Sequence, residues 1–496
     1  MLASFISGIV VANLLGVEGT GMVVFAVWIA LVAAPVVDGG TALSVGRFQA
    51  VLKGQQDMAA AHALPGLLAR RLLLYNGLGV SLFAALYLMG ETSVLRLPSA
   101  EDPAAGIPPL LAMGVASLTL LQSLALFGTA YLRGSRRFVV LAALGLVSMG
   151  VQIAAVYAGI RLAGVVGAIA GYGLGQVLLS VVTLRLLWRS GIVQPSLLRE
   201  VRRYGRFAWA ANVCNTFVWS RIEIFFLQFF WTYREVGLFS VALALAALAS
   251  QGPLLLTSAF LPMLSEKHGQ GDRAGLQRAF SGGTRLLAIL AFPACFGLVS
   301  IVPVLVGILY GYSFEPAVPA TMVIAAAAAF STSAVIGTHL VNALARSDFI
   351  FFSSLAGAVM SVLLGLLLIP DNGLIGAAAA RAMTQLAMTG LGLWFITRRL
   401  NFSYPSGYLL RILAATLAAS VCAYFATTLI GSIAGLFAAV AAFIPIYVAG
   451  LRLFRAVHPE DAEMMRGLSR SLPRPFARLI HYLLLFVRPS PASQPV

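Results

Sequence analysis

The stretch RRFVVLAALGLVSMGVQIAAVYAGIRLAGVVGAIAGYGLGQVLLSVVTLR, residues 136 to 185, decides the fold class. It opens on Arg136 and Arg137, closes on Arg185, and holds a single charge between them, Arg161. A helix needs roughly 20 apolar residues to cross a bilayer. This run is long enough to cross twice, at 138 to 159 and 164 to 184, turning near Arg161. Its basic ends then share one side of the membrane, and because Lys and Arg of short loops gather in the cytoplasm, that side is read as the inside.

Working outward, the same rule orders the whole chain. Apolar spans are expected near 1 to 16, 21 to 45, 72 to 90, 109 to 132, 138 to 159, 164 to 184, 207 to 231, 236 to 260, 286 to 309, 319 to 343, 349 to 369, 374 to 397, 409 to 429 and 433 to 451, fourteen in all. Of the 33 Lys and Arg residues, 28 fall in every second gap between spans, and only Arg96, Arg161 and Arg234 fall in the others. The outward gaps instead hold the acids Glu18, Glu91, Glu101, Asp102, Glu235, Glu315 and Asp371. An even number of spans places both termini in the cytoplasm.

Composition agrees: 60% hydrophobic residues, 10% charged and a mean hydropathy of +0.93 exclude an ordinary soluble domain. The net charge of +16 is accounted for by arginines at span ends, so no nucleic-acid partner is expected. Cys214, Cys295 and Cys422 lie in separate spans without ligand spacing and read as small core hydrophobes, with no disulfide frame and no metal site. No cofactor is expected.

The outward gap 91 to 108 is rich in proline and short for a folded domain. Leu479 to Val487, between Arg478 and Arg488, is too short to span and is expected to lie in the interface. The basic gap 185 to 206 has six spans before it and eight after. That suggests a six-helix lobe at 1–190, a cytoplasmic linker at 191–205, a second six-helix lobe at 206–400, two added helices at 401–452 and a cytoplasmic tail at 453–496. A faint echo supports the repeat: Glu18-Gly19-Thr20-Gly21 leads into the second span and Glu235-Val236-Gly237 into the eighth, with Pro35 and Pro253 later in each. Paired halves are what alternating access requires.

A set of short motifs then follows in order. Leu14-Leu15-Gly16-Val17-Glu18-Gly19-Thr20-Gly21, Asp38-Gly39-Gly40 with Arg47, Tyr131-Leu132-Arg133-Gly134, Ser220-Arg221-Ile222-Glu223, Glu235-Val236-Gly237-Leu238-Phe239-Ser240, Phe260-Leu261-Pro262-Met263-Leu264-Ser265 and Ile369-Pro370-Asp371-Asn372-Gly373-Leu374-Ile375-Gly376-Ala377-Ala378 span about residues 1 to 450. Together they resemble the bacterial polysaccharide (O-antigen) flippases of the multidrug/oligosaccharidyl-lipid/polysaccharide exporter superfamily. The resemblance implies an all-α polytopic protein whose two six-helix lobes rock around a central cavity. It would move an undecaprenyl-diphosphate-linked oligosaccharide across the bacterial inner membrane, alongside polysaccharide assembly proteins. Members often carry an Arg before the Leu-Leu-Gly of the first span, where this chain has Asn13.

An ionisable side chain at membrane depth is costly and usually functional. Arg221 and Arg381 fall inside spans seven and twelve, and a guanidinium pairs bidentately with phosphate oxygens. Both are candidate substrate contacts, or else members of structural ion pairs; for Arg221 the simplest partner is Glu223, although residues two apart on one helix do not share a face. Arg47, at the cytoplasmic mouth, reads as a topology anchor or as a first contact for the diphosphate. Glu223 and Asp38 are candidates for binding H+ or Na+ as coupling ion, and Asp38 reads equally as a helix cap near Gly39 and Gly40. His339 reads as a hydrogen-bonded core residue.

The rival functions are a peptidoglycan lipid-precursor flippase, a drug or cation antiporter of the same superfamily, and a membrane-embedded polysaccharide polymerase or ligase. The antiporter branch usually has twelve spans. The enzymes need a catalytic outer loop with Arg or His, which the short outward gaps do not offer. The first apolar run is short and no Lys or Arg precedes Arg47, so the natural start is expected upstream. A chain extended at its N-terminus should then insert more stably in a membrane-fractionation assay; equal insertion counts against that start.

Overall fold

The computed structural model describes residues 2–88, 109–219, 221–458 and 461. In chain order its helices are α1 (Leu2–Val37), α2 (Thr41–Gly54), α3 (Met58–Leu88), α4 (Pro109–Gly134), α5 (Phe138–Leu186), α6 (Pro195–Trp219), α7 (Glu223–Phe230), α8 (Tyr233–Leu255), α9 (Phe260–Gly269), α10 (Arg273–Tyr310), α11 (Ala317–Ser333), α12 (Val335–Ala343), α13 (Ser347–Trp394), α14 (Ser406–Ile430) and α15 (Ile433–Leu453). Among the described residues there is no strand. The protein is an all-α, multi-pass membrane protein. Among the described residues, ten helical segments are long and apolar enough to cross a bilayer.

Three of those ten are double crossings. α1 turns at Gly16 (φ 68°, ψ −169°), α5 at Ala163 and Gly164 (φ 57°), and α13 at Gly373 (φ 47°). Glycine takes a positive φ without steric cost, so the backbone can reverse inside one apolar run. The two legs of α5 then lie against each other through Gly159 and Gly167, where a Cβ on either would strike the other's carbonyl. Further from the turn, Gly171 meets Val156 and Gly175 meets Gln152. The quoted stretch is therefore a helical hairpin, with Arg161 beside its turn.

Several boundaries differ from expectation. The second crossing stops at Val37, not 45, because Gly39 and Gly40 both take positive φ and α2 starts afresh at Thr41. Asp38 caps that start: its carboxylate accepts from the Thr41 hydroxyl (2.7 Å) and the Ala42 amide (3.0 Å). The expected crossing at 207 to 231 is interrupted between α6 and α7. α10 starts at Arg273, well before 286, capped by Asp272, which accepts from Gly275 N at 2.7 Å; that bond holds its carboxyl below the usual range. Cys295 is buried as expected, but Cys422 is exposed on α14 among the apolar side chains Val421 and Phe425. The gap 91 to 108, most of the tail and the run 479 to 487 lie outside the described residues.

Packing divides the chain into Met1–Gly237 and Leu238–Val496. In the first unit, polar side chains at depth tie helices together: Asn76 Nδ2 donates to Ser123 Oγ (3.0 Å), Gln152 Nε2 to Ser7 Oγ (3.2 Å) and Thr183 Oγ1 to the Leu124 carbonyl (2.7 Å). In the second unit α14 and α15 are fastened to α10. Tyr447 Oη donates to the Ile289 carbonyl (2.7 Å), Ser300 Oγ to that of Ser420 (2.9 Å), and Thr427 Oγ1 to that of Ser300 (2.9 Å).

A buried ion pair closes the same assembly. Arg285 of α10 meets Asp461 at 2.7 Å, with side chains 7% and 1% exposed, and the guanidinium also lies over the Tyr408 ring at 5.3 Å. Removing one partner of such a pair leaves a buried charge and costs about 3–5 kcal/mol. Asp461→Ala should therefore melt well below the parent in detergent, and the Arg285→Asp, Asp461→Arg exchange should recover part of the loss. Equal melting of parent and Asp461→Ala would contradict this packing.

Candidate functional site

The interruption of the seventh crossing is the least ordinary feature of the first unit. α6 ends at Trp219, α7 begins at Glu223, and between them Arg221 sits in the left-handed region at φ 64°. That conformation costs a non-glycine residue roughly 1–2 kcal/mol. No proline or glycine lies between Ala208 and Tyr233 to explain the break. The start of α7 is satisfied by the break itself: the Arg221 carbonyl accepts from Ile224 N (3.0 Å), and that of Ile222 from Phe225 N and Phe226 N (3.0 and 3.3 Å). Irregular backbone at membrane depth is tolerated where it is buried in protein or lines a polar cavity.

Polar groups gather along α7. Glu223 occupies its first turn and is 1% exposed. Because Arg221 is not helical, the helix-face objection to an Arg221–Glu223 partnership loses its premise. Gln228 is buried, and its Oε1 has no hydrogen-bond partner among the described residues; the same holds for the hydroxyl of Tyr233. A buried acceptor without a partner is costly, so such atoms mark places where water or a ligand would be held. No motif or spacing in the sequence marks Gln228 or Tyr233 as special. Aromatic rings flank the row: Phe25 stacks on Trp28 (5.8 Å), Trp28 meets Phe225 (6.3 Å), and Phe225 stacks on Phe229 (6.0 Å).

The two echo motifs meet beside this row. A Cβ on Gly21 would run into the Tyr233 carbonyl, and one on Gly237 into the carbonyl of Val17. The turn after the first crossing is thereby held against the start of α8, at the far end of α7 from Arg221.

The other candidate residues of the first unit lie elsewhere on it. Arg47 on α2 is exposed and stacks over Tyr204 of α6 at 4.4 Å. At 1.5 Å per residue, Tyr204 is roughly 25 Å along the helix axis from Arg221. Asp38 has its oxygens engaged in the α2 cap. Arg381, in the second unit, is half-buried on the second leg of α13; one turn on, Gln385 Oε1 is buried with no partner among the described residues. His339 Nε2 of α12 is likewise without one. Among the described residues no group of three His, Cys, Asp or Glu could hold a metal ion.

A family model described as a polysaccharide biosynthesis protein matches residues 106–319, and one described as the lipid II flippase MurJ matches residues 253–483. The probable low-salt glycan biosynthesis flippase Agl15 of Haloferax volcanii is 20% identical over 234 residues, 46% of this chain and 49% of that protein. In sequence the chain is thus similar to proteins of polysaccharide biosynthesis and to flippases of lipid-linked glycans. An uncharacterized membrane protein of Methanocaldococcus jannaschii is 22% identical over 214 residues, 43% of this chain and 42% of that one. The chain thus matches about half the length of these curated relatives. In fold it is similar to an inward closed lipid II flippase MurJ (TM-score 0.72, 12% identity, 91% of this chain and 96% of that one). It is also similar to an inward-facing MATE-family multidrug transporter of the MOP superfamily (TM-score 0.62, 16% identity, 81% and 94%).

The glycine contact makes a direct prediction. Gly21→Ala and Gly237→Ala should each lower the melting temperature by several degrees, since backbone must move to admit the methyl. Gly150→Ala, with open space at its Cβ, should not. Equal melting of all three would contradict the contact.

Proposed function

We propose that this protein is a flippase for an undecaprenyl-diphosphate-linked oligosaccharide, moving it from the cytoplasmic to the periplasmic leaflet of a bacterial inner membrane by alternating access during surface polysaccharide biosynthesis. Both termini are cytoplasmic in this reading, and the spans form two six-helix lobes with two helices added. The observation that carries it is Arg221 at the break of the seventh crossing. The first amides of α7 are engaged within the break, so the group offered to an anion there is the permanently charged guanidinium of Arg221, which suits a diphosphate. Arg381, with Gln385 one turn on, is the corresponding contact in the second unit, and Arg47 is the first contact for the headgroup.

Glu223 is the residue to which we assign a coupling H+ or Na+. Adjacent to Arg221, it would compete with the diphosphate for the guanidinium, which links ion binding to substrate release. Asp38 is the weaker assignment, because its carboxylate already serves α2. The protein is a transporter in this account and not an enzyme, and its partners are the lipid-linked glycan, the bilayer and polysaccharide assembly proteins.

A second reading, a peptidoglycan lipid-precursor flippase, is favoured by the match of residues 253–483 to the lipid II flippase model. The reading as a drug antiporter is disfavoured by the two added crossings, α14 and α15.

Deleting the gene in its host should abolish surface glycan and trap complete lipid-linked repeat units on the cytoplasmic side. Complementation with Arg221→Ala or Arg381→Ala should restore at most about a tenth of the parent's glycan, as the loss of a charge-assisted phosphate contact implies. Normal glycan with accumulated peptidoglycan precursor would support the second reading, and normal glycan with altered drug sensitivity would support the antiporter.

A further inference from the structure

Arg199, Arg202, Arg203 and Arg206 recur at helical spacing, which stacks all four on one face of α6. α6 is an unbroken helix over this stretch. Its opposite face is locked into the first unit. Val201 is 1% exposed within a core that includes Phe48, Leu64, Phe127 and Leu132, while Leu197, Leu198 and Tyr204 pack around it. Gly205 lies so close to α2 that a Cβ would come within 2.9 Å of Ser44 Oγ, and a Cβ on Gly40 would run into the Gly205 carbonyl. The helix cannot roll about its axis without breaking these contacts, so the arginine face is held outward. All four arginines are exposed, and among the described residues none of them forms an ion pair, Glu200 included.

Exposed apolar side chains precede and follow the stripe in sequence. Trp188 is 89% exposed, Ile192 94% and Phe207 72%. Basic residues near a span set orientation wherever they lie around a helix, so that rule does not require a single-faced stripe flanked in sequence by exposed apolar side chains. That combination is what a helix at headgroup level carries: apolar side chains enter the acyl boundary while cations meet phosphates.

The geometry points to a docking surface for acidic phospholipids: the arginine stripe of α6 binds the phosphates of anionic headgroups in the leaflet on its side of the membrane, with Trp188, Ile192 and Phe207 inserted beside them. Guanidinium forks suit phosphate oxygens. This surface is independent of what the protein transports. It also has a mechanical consequence, because the same helix runs on without interruption to Trp219 and the break at Arg221. Headgroup binding fixes one end of the element whose other end carries the candidate substrate contact.

The test uses the full-length protein in phosphatidylcholine bilayers doped with spin-labelled phosphatidylglycerol or spin-labelled phosphatidylcholine, and reads the motionally restricted fraction of each. The parent should prefer phosphatidylglycerol by about threefold or more, with a preference that falls as salt rises. The quadruple variant R199Q/R202Q/R203Q/R206Q should lose most of the preference, while R133Q/R137Q, which removes exposed charge elsewhere, should keep it. An unchanged preference in the quadruple variant would overturn the proposal. So would a variant that retains the preference but loses affinity for soluble short-chain polyprenyl diphosphate, which would assign the stripe to the substrate instead.

Discussion

Backbone amides and carbonyls in hydrocarbon must find partners within the protein, because no water is there to take them. That constraint makes almost all of the described residues helical, and it makes the break between α6 and α7 meaningful. The helix stops at membrane depth without proline or glycine, a charged residue adopts a left-handed conformation, and the carbonyls of Arg221 and Ile222 are turned to serve the first amides of α7. Nothing in the local sequence would hold such an arrangement in isolation. It persists because α7 is packed through Ile224, Phe226 and Leu227 and because Gly21 and Gly237 fasten the following turn.

The two units use polar groups in two ways. Where a side chain finds a backbone or hydroxyl partner on another helix, as Asn76, Gln152, Tyr447 and Ser300 do, it fastens packing. Two of the buried acceptors with no such partner, Gln228 and Gln385, stand within two turns of an intramembrane arginine. The first group explains rigidity, and the second marks where a polar ligand would be accommodated. The Arg285–Asp461 pair belongs to the first group despite its charges, since it binds the chain beyond α15 to the start of α10.

Much of this was legible in the residues. Alternation of basic and acidic gaps ordered the crossings, and the hairpins of α1, α5 and α13 turn where Gly16, Gly164 and Gly373 interrupt apolar runs. Arg221 was conspicuous as a charge where none should be. Its conformation was not, because the break is imposed by tertiary packing and leaves no turn signal between Ala208 and Tyr233. Asp38 was readable both as a cap and as an ion ligand, and only the hydrogen bonds from Thr41 and Ala42 show its engagement. Arg285 looked like one more topology anchor, because its partner lies 176 residues away and hydropathy carries no information about pairing at that distance. The echo of Glu18–Gly21 in Glu235–Gly237 was noticed as a repeat, yet its physical content is contact: two backbones meet where neither bears a side chain.

The central claim is that the broken seventh crossing holds the diphosphate of the transported lipid. The most direct measurement is translocation of a fluorescent polyprenyl-diphosphate-linked sugar by the purified protein in liposomes, followed by quenching of the outer leaflet, for the parent and for Arg221→Gln. The account predicts rapid loss of fluorescence with the parent and a rate at least about tenfold lower with the variant, in line with a lost charge-assisted bond. Equal rates for both would contradict it.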